Sequence, residues 1–343
     1  MPKYIIHIGP PKTGSKYIQS QLFHNRSFLE ANGVLYPDNW WNRPDQIFHV
    51  PVLDILRQGG DTLNSEFEKI NARGFERVIL SCEGFDALKL DEIARLRDAI
   101  GDNAVDIVYY VRRWSDRIPS DWRQRVMMGQ FITVPEFYTR LLSHPINTGE
   151  INYSLVWESF ARVFGRESLR IVSYSNLSDK GVDLFAHFCR TIVGLPEVPQ
   201  TRKGLIQHNK GPSMIEAEIL RGLNYLYFLE NSFNDIRIRI RFLRLKSGYD
   251  LRELNDYMQS DVRAIKLEDV AAPLAATWKA ISEYQDCLVS PEYGKDMFEG
   301  LSVDSNFVGQ NYLYRAGALI ELEIFYAYVK NTPLDVQELR ALQ

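Results

Sequence analysis

Two short segments of the chain carry residue types that could bind anions. The first is residues 9–16, with the sequence GPPKTGSK, which lies between an apolar run and a helical pattern. A glycine-bearing turn at such a junction directs backbone N–H groups and the positive end of a helix at one point. Lys12 adds a charge, and Thr13 and Ser15 add hydroxyl donors. Gly9 and Gly14 have the spacing of the triphosphatase loop GxxxxGK[ST], but Ser15 follows the second glycine where that loop has lysine. The segment therefore predicts an anion site that differs from a Walker loop.

The second segment is residues 112–124, with the sequence RRWSDRIPSDWRQ. Arg112 stands at the carboxyl end of an apolar run, where open α/β sheets bind ligands. Ser120 follows eight residues later, near the start of a helical stretch. A guanidinium and a hydroxyl that converge from a strand end and a helix start suit a phosphate group. The alternative is a solvated, arginine-rich helix start with surface ion pairs.

The elements that must position these segments follow from apolar periodicity. The runs 4–8, 77–81, 105–111 and 169–174 predict strands, and helical patterns separate them. Alternating strands and helices predict an α/β fold with a P-loop-like parallel sheet flanked by helices. Beyond about residue 210 the patterns are helical. We expect a single domain over 1–343, with a nucleotide-binding core over about 1–200 and a helical C-terminal portion over about 210–343.

Composition excludes several classes of protein. The chain has 40 Lys+Arg and 44 Asp+Glu, a net charge of −4, and 45% hydrophobic residues, which is typical of a soluble globular protein. Three widely spaced cysteines without a CxxC pair favour a reducing compartment. The acidic balance disfavours a nucleic-acid partner, and no signal peptide or membrane-spanning run is visible. These features predict a cytoplasmic protein and leave its oligomeric state open.

Together the two segments resemble the sulfotransferases that use 3′-phosphoadenosine 5′-phosphosulfate (PAPS). That family's loop PKxGSTxL is matched by Pro11, Lys12, Thr13, Gly14 and Ser15. Its RxxxxRxxSxY-like segment is matched by Arg112, Arg117, Ser120, Asp121 and Trp122. The resemblance, over about residues 3–195, implies PAPS as co-substrate, with Arg112 and Ser120 on the 3′-phosphate at a separate end of the ligand from the loop.

Some positions depart from the family pattern. Lys16 occupies the place where the family has Thr or Ser, so it would offer a charge contact or point to solvent. The family's glycine-rich basic segment has a loose counterpart around Arg202 and Lys203, which we expect to contact the adenosine phosphate.

Sulfuryl transfer by in-line displacement needs an acid and a base. Lys12 is the expected donor to the leaving oxygen. The acceptor must lose a proton, and Glu83, directly after a predicted strand, is the first candidate for the base. His49 is the second, although a lone histidine among apolar residues is more often a core residue. For Glu83 the alternative is a capping or ion-paired carboxylate. No divalent cation is expected, because a sulfuryl group carries less charge than a γ-phosphate.

Other points stay open at this stage. The expected acceptor is a hydroxyl or amine on a carbohydrate or a small metabolite. The alternatives are a P-loop kinase-like, ATP-dependent phosphotransferase and a non-catalytic nucleotide-binding protein. Arg237, Arg239 and Arg241 alternate with β-branched residues. They would line an anionic groove, touch an acidic membrane surface or form a solvated basic face.

Overall fold

A computed structural model describes residues 1–38, 47–59, 62–201, 211–233, 235, 237–265, 267–290, 305–309 and 315–333. The chain divides into two compact units. The first contains Met1–Arg113, Pro145–His208 and Leu274–Leu301, and the second contains Trp114–His144, Asn209–Pro273 and Ser302–Gln343. The sequence-based division into a core and a C-terminal portion of one domain stays a prediction.

The first unit is built on a five-stranded parallel sheet of order β2-β3-β1-β4-β5. Its strands are β1 Lys3–His7, β2 Val34–Leu35, β3 Arg77–Ser81, β4 Val105–Val111 and β5 Leu169–Ser173. The predicted α/β fold class is confirmed, and four of these strands coincide with predicted runs. The two-residue β2 was missed.

Helices connect and cover these strands. The described α-helices are, in chain order, α1 Ser15–His24, α2 Arg26–Ala31, α3 Val50–Gln58, α4 Thr62–Ala72, α5 Leu90–Ile100, α6 Trp114–Met127, α7 Val134–Leu142, α8 Ser154–Phe164, α9 Tyr174–Asp179, α10 Leu184–His187, α11 Met214–Asn231, α12 Arg237–Leu245, α13 Arg252–Gln259, α14 Leu267–Ser282 and α15 Ala316–Asn331. None of the helices within the described ranges is both long enough and apolar enough to cross a bilayer.

The core of the first unit lies on both faces of the sheet. After its first residue, each of β1 and β4 is fully buried, which is why these runs are almost continuously apolar rather than alternating. On one face, Ile5, Ile79, Val108 and Val172 from four strands pack in one cluster with Ile18 of α1. This packing fixes the ends of the strands relative to α1.

The strand order places a topological switch point between β1 and β4, the place where open α/β sheets bind ligands. The chain leaves β1 toward β2 on one side of the sheet and leaves β4 toward β5 on the other. At such a switch point the loops after two neighbouring strands diverge and open a crevice at their carboxyl ends. Both predicted anion-binding segments start there, since Gly9 and Arg112 follow β1 and β4.

The second unit is mainly helical. It contains α6, α7, α11, α12, α13 and α15, with an antiparallel pair of strands, β6 Val262–Ile265 and β7 Ser305–Val308. A Cβ atom added to Gly222 of α11 would lie 2.7 Å from Leu322 of α15, so the two helices approach closely there. The helical C-terminal portion is confirmed, but the β6–β7 pair was not predicted.

The basic segment around residue 240 is helix α12, and two of its arginines have structural partners. Arg241 donates to the carbonyls of Val329 (2.7 Å), Lys330 (2.9 Å) and Thr332, at the C-terminal end of α15. Cations at this end of a helix satisfy carbonyls that have no helical partner. Arg237 pairs with Asp235 at 2.6 Å. Arg241 therefore joins α12 to the end of α15, whereas Arg237 forms a largely exposed ion pair within its own segment.

Candidate active site

The loop after β1 depends on glycine at two positions. Gly9 has φ 102° and Gly14 has φ 80°, in the left-handed region that side chains rarely adopt. A Cβ atom on Gly9 would lie 2.9 Å from the carbonyl oxygen of Glu83, and one on Gly14 would lie 2.3 Å from Cδ2 of Leu184. The loop is therefore pressed between the segment after β3 and helix α10.

Lys12 also has a left-handed backbone, with φ 70°. A non-glycine residue there is uncommon, and such positions cluster at ligand sites where surrounding contacts hold them. One such contact is the hydrogen bond that its carbonyl accepts from Arg112. The loop thus keeps a lysine at a position whose backbone favours glycine.

The two loop hydroxyls bind within the loop. Thr13 Oγ1 donates to the carbonyl of Pro10 at 2.7 Å, and Ser15 Oγ donates to the same oxygen at 3.2 Å. Both side chains are buried. Each hydroxyl would have to rotate to donate to an anion, so in this structure they shape the loop, and their contact with a ligand stays a prediction.

The start of α1 offers backbone donors instead. Within the described residues, no hydrogen bond is donated by the amides of Gly14, Ser15 and Lys16. No side chain caps this end of α1, and its first turn has no acidic residue. Orphan amides at the positive end of a helix form an anion site. The side chain of Lys16 is exposed, so it points to solvent.

Arg112 lies directly against this loop. Its Nη1 donates to the carbonyl of Lys12 at 2.8 Å, and its Cζ lies 5.6 Å from the centroid of the Tyr174 ring. Its own carbonyl accepts a hydrogen bond from Tyr153 at 2.8 Å, and its Nε is buried without a hydrogen-bond partner. Among the described residues, Arg112 forms no ion pair. The groups that hold it, a carbonyl and an aromatic ring, are neutral, so no carboxylate among the described residues pairs with the guanidinium beside the loop.

This placement modifies the expected geometry. The sequence put Arg112 and the loop at separate ends of one ligand, whereas the structure joins them by a hydrogen bond. The reason is the sheet: the amide of Tyr110 donates to the carbonyl of Gly9 at 3.3 Å, so β4 runs beside the start of the loop. Two residues further on, Arg112 reaches Lys12.

The neighbouring Arg113 has a different role. Its guanidinium pairs with Asp179 at 2.7 Å, and its amide donates to Ser175 Oγ at 3.1 Å. Both partners belong to α9, so Arg113 ties this helix to the end of β4. Arg113 is therefore paired with a carboxylate, whereas Arg112 forms no ion pair among the described residues.

Glu83 follows β3 at the same edge of the sheet. It begins a short 3₁₀ helix, Glu83–Ala87, and its backbone packs against Gly9. The side chain is half-buried. The preceding Cys82 is buried, and burial, reinforced by the nearby carboxylates of Glu83 and Asp86, raises its pKa to about 12. The Cys82 thiol therefore stays protonated near neutral pH, and Glu83 offers a half-buried carboxyl group at this end of the strand.

His49 lies in the core. It is fully buried, its Nδ1 accepts a hydrogen bond from the amide of Ser81 at 3.0 Å, and its Nε2 donates to the carbonyl of Pro37 at 2.9 Å. Burial lowers its pKa to about 4. With both ring nitrogens bound to the backbone, His49 has the geometry of a structural histidine. The choice between Glu83 and His49 as the base stays a prediction.

The sequence predicts three further ligand residues, Ser120, Arg202 and Lys203. Ser120 is half-buried in the second turn of α6 and belongs to the second unit. In the same helix Arg117 pairs with Asp121 at 2.5 Å. Arg202 and Lys203 lie outside the described residues. Their roles stay predictions.

A cleft of about 180 Å³ opens beside the 3₁₀ helix that Glu83 begins. It is lined by Asp86, Ala87, Leu88, Leu155, Val156, Ser159 and Phe160. Tyr153 precedes the α8 residues of this lining and hydrogen-bonds the Arg112 carbonyl, so the cleft lies at the same edge of the sheet. Sequence reasoning missed both this cleft and Tyr174, although Tyr174 follows β5 just as Arg112 follows β4.

Comparisons with known proteins add little to this geometry. Neither a protein-family model nor a curated protein matches the sequence. Among solved structures, the chain is similar to the crystal structure of a sulfotransferase from Alicyclobacillus acidocaldarius, with 16% identity and a TM-score of 0.33. The similarity covers 74% of this chain and 98% of that one. With so low an identity and TM-score, it does not decide what the present chain does.

Proposed function

We propose that this protein transfers a sulfuryl group from PAPS to a hydroxyl or amine on a small acceptor. The observation that carries the proposal is the guanidinium of Arg112, which forms no ion pair within the described residues and lies beside the loop that leads into α1. At the start of α1 the amides of Gly14, Ser15 and Lys16 donate no hydrogen bond in the same part of the chain. A guanidinium group and a set of backbone N–H donors at the same edge of the sheet suit a ligand with more than one anionic group. PAPS is such a ligand, and it agrees with the motifs that the sequence carries.

Two sets of groups would hold the donor. The amides at the start of α1 would bind the oxygens of the 5′-phosphosulfate, with the Lys12 ammonium beside them. Arg112 would bind the 3′-phosphate, because a guanidinium donates two parallel hydrogen bonds to a phosphate. Holding two anionic groups of the donor from neighbouring positions would fix the reacting sulfur, and positioning of this kind supplies much of the rate in group transfer.

The reaction then needs one proton acceptor and one stabilising charge. The hydroxyl oxygen or amine nitrogen of the molecule that receives the sulfuryl group attacks sulfur. The bond between sulfur and the 5′-phosphate oxygen then breaks. Lys12 stabilises the negative charge on that oxygen, and Glu83 takes the proton from the acceptor. The products are a sulfate ester or sulfamate and adenosine 3′,5′-bisphosphate.

The cleft beside Glu83 supports a position for the acceptor. Its wall continues the 3₁₀ helix that begins at Glu83, and four residues of that helix rise about 8 Å. The nearest lining residues of this helix, Asp86 and Ala87, therefore lie about 6–8 Å along its axis from the proposed base. Two lining side chains, Asp86 and Ser159, are polar and the others are apolar. This lining suits a small acceptor with an apolar face.

Ligand binding tests the proposal most directly. Dissociation constants for adenosine 3′,5′-bisphosphate and adenosine 5′-phosphate are measured by calorimetry for the wild type, Arg112→Ala and Arg113→Ala. We expect the wild type to prefer the bisphosphate, and Arg112→Ala to lose about ten- to hundredfold of that preference, since hydrogen bonds to charged groups contribute about 1.5–3 kcal/mol. Arg113→Ala is the matched control, and it should keep the wild-type preference for the bisphosphate.

Other outcomes contradict the proposal. A wild type that binds ATP with magnesium but not the bisphosphate would indicate a kinase. If Lys12→Ala and Glu83→Gln leave every rate with PAPS at the wild-type value, the residues assigned here do not carry the reaction. A protein that binds the bisphosphate but shows no transfer to any alcohol, phenol or amine would be a binding protein.

A further inference from the structure

The ring of Tyr174 lies beneath the guanidinium of Arg112 because of the sheet register. Strands β4 and β5 pair in parallel up to Val111 and Ser173. The next residue of each strand is therefore Arg112 and Tyr174, at the same level of the sheet edge. The guanidinium carbon lies 5.6 Å from the ring centroid, within the range of a cation–π contact.

The same ring also packs on the anion-binding loop. A Cβ atom on Gly14 would lie 3.4 Å from Cε2 of Tyr174, so the ring edge borders the start of α1. Its helix, α9, is held by two further contacts: Ser173 Oγ accepts from the amide of Asn176 at 3.4 Å, and Arg113 pairs with Asp179. The ring is thus fixed between the loop and Arg112.

We infer that Tyr174 is a positioning residue that holds the Arg112 guanidinium for the second phosphate of the ligand without neutralising it. The inference rests on the proposed function. A carboxylate at this place would hold the arginine as Asp179 holds Arg113, but it would cancel the charge that binds the phosphate. The face of an aromatic ring attracts the guanidinium and leaves its hydrogen-bond donors and its charge to the ligand.

Substitutions at Tyr174 test this role through ligand preference. The ratio of the dissociation constants for adenosine 5′-phosphate and adenosine 3′,5′-bisphosphate is measured for Tyr174→Phe and Tyr174→Leu. The phenylalanine variant should keep the wild-type ratio. In the leucine variant this ratio should fall about two- to thirtyfold because the bisphosphate binds more weakly. This range corresponds to the loss of one cation–π contact.

The matched control is Tyr284→Leu. The ring of Tyr284 lies 4.4 Å from the guanidinium carbon of Arg166, which an ion pair with Asp286 also holds. This variant removes a cation–π contact of the same unit without touching the loop, so the ratio should stay at the wild-type value.

A fluorinated series separates the ring's charge distribution from its shape. Phenylalanines with an increasing number of fluorines, placed at position 174, weaken the negative ring face while nearly preserving its volume. The preference should fall stepwise along the series, and this outcome would also support the inference if the leucine variant failed to fold. An unchanged ratio in the leucine variant, or across the series, refutes the inference alone. A wild type without any preference refutes the proposed function as well.

Discussion

The close approach at Gly14 gives a prediction whose size can be worked from the structure. In Gly14→Ala the new methyl group would lie 2.3 Å from Leu184 and 3.4 Å from Tyr174, on a backbone with φ 80°. The left-handed conformation costs about 1–2 kcal/mol for a residue with a side chain. Overpacking adds about 1–3 kcal/mol, because Leu184 must change its rotamer. We expect the free energy of unfolding to fall by about 2–5 kcal/mol.

The matched control is Gly74→Ala. Gly74 has nearly the same φ, 76°, but an added Cβ atom would meet nothing within 4 Å. It should therefore show only the conformational cost of about 1–2 kcal/mol. Urea denaturation of both variants, followed by circular dichroism, measures the difference. If Gly14→Ala is no more destabilising than Gly74→Ala, the loop is not packed against α10 as described. Gly14→Ala should also weaken bisphosphate binding, whereas Gly74→Ala should not.

Three further predictions concern residues outside the ligand contacts. Burial lowers the pKa of His49 to about 4, so the unfolded chain binds its proton first as the pH falls. His49 should lower the free energy of unfolding by about 3 kcal/mol between pH 6.5 and 4, and in urea titrations the drop should be smaller by about this amount for His49→Gln than for the wild type. Double-mutant cycles of Arg113 and Asp179 should give a coupling of about 0.2–1 kcal/mol in thermal unfolding, with nucleotide preference unchanged. Arg241→Ala should cost about 1–3 kcal/mol by removing the bonds to the end of α15, whereas Arg239→Ala should change stability by less than about 0.5 kcal/mol in the same denaturation assay.

The sequence predicts the sheet well because its strands are buried on both faces. Such strands appear as continuous apolar runs, and four of the five in the first unit do. Strand β2 has two residues, too few for any pattern. The pair β6–β7 joins segments about forty residues apart, and β6 is largely exposed, so no apolar alternation marks it.

The candidate site is predictable where its chemistry is local. Lys12, Gly9 and Gly14 lie in one short turn, so their spacing alone indicates an anion site. The contact between Arg112 and Lys12 spans 100 residues and exists because β4 lies next to β1, which no spacing in the sequence reveals. To predict that Tyr174 lies against Arg112, one would also need to know the register in which β4 pairs with β5. The hydroxyls of the loop turn inward because one carbonyl can accept from both, a choice of rotamer that residue type does not determine.

Under the proposed function, the left-handed backbone of Lys12 makes folding stability and catalysis favour different residues at one position. Replacement by glycine would relieve the strained torsion and remove the ammonium in the same step. A selection for thermal resistance alone would therefore favour glycine at position 12, and under the proposed function the selected variants would be more stable but inactive. A screen of this chain for stability must accordingly score activity in parallel, or hold that lysine fixed.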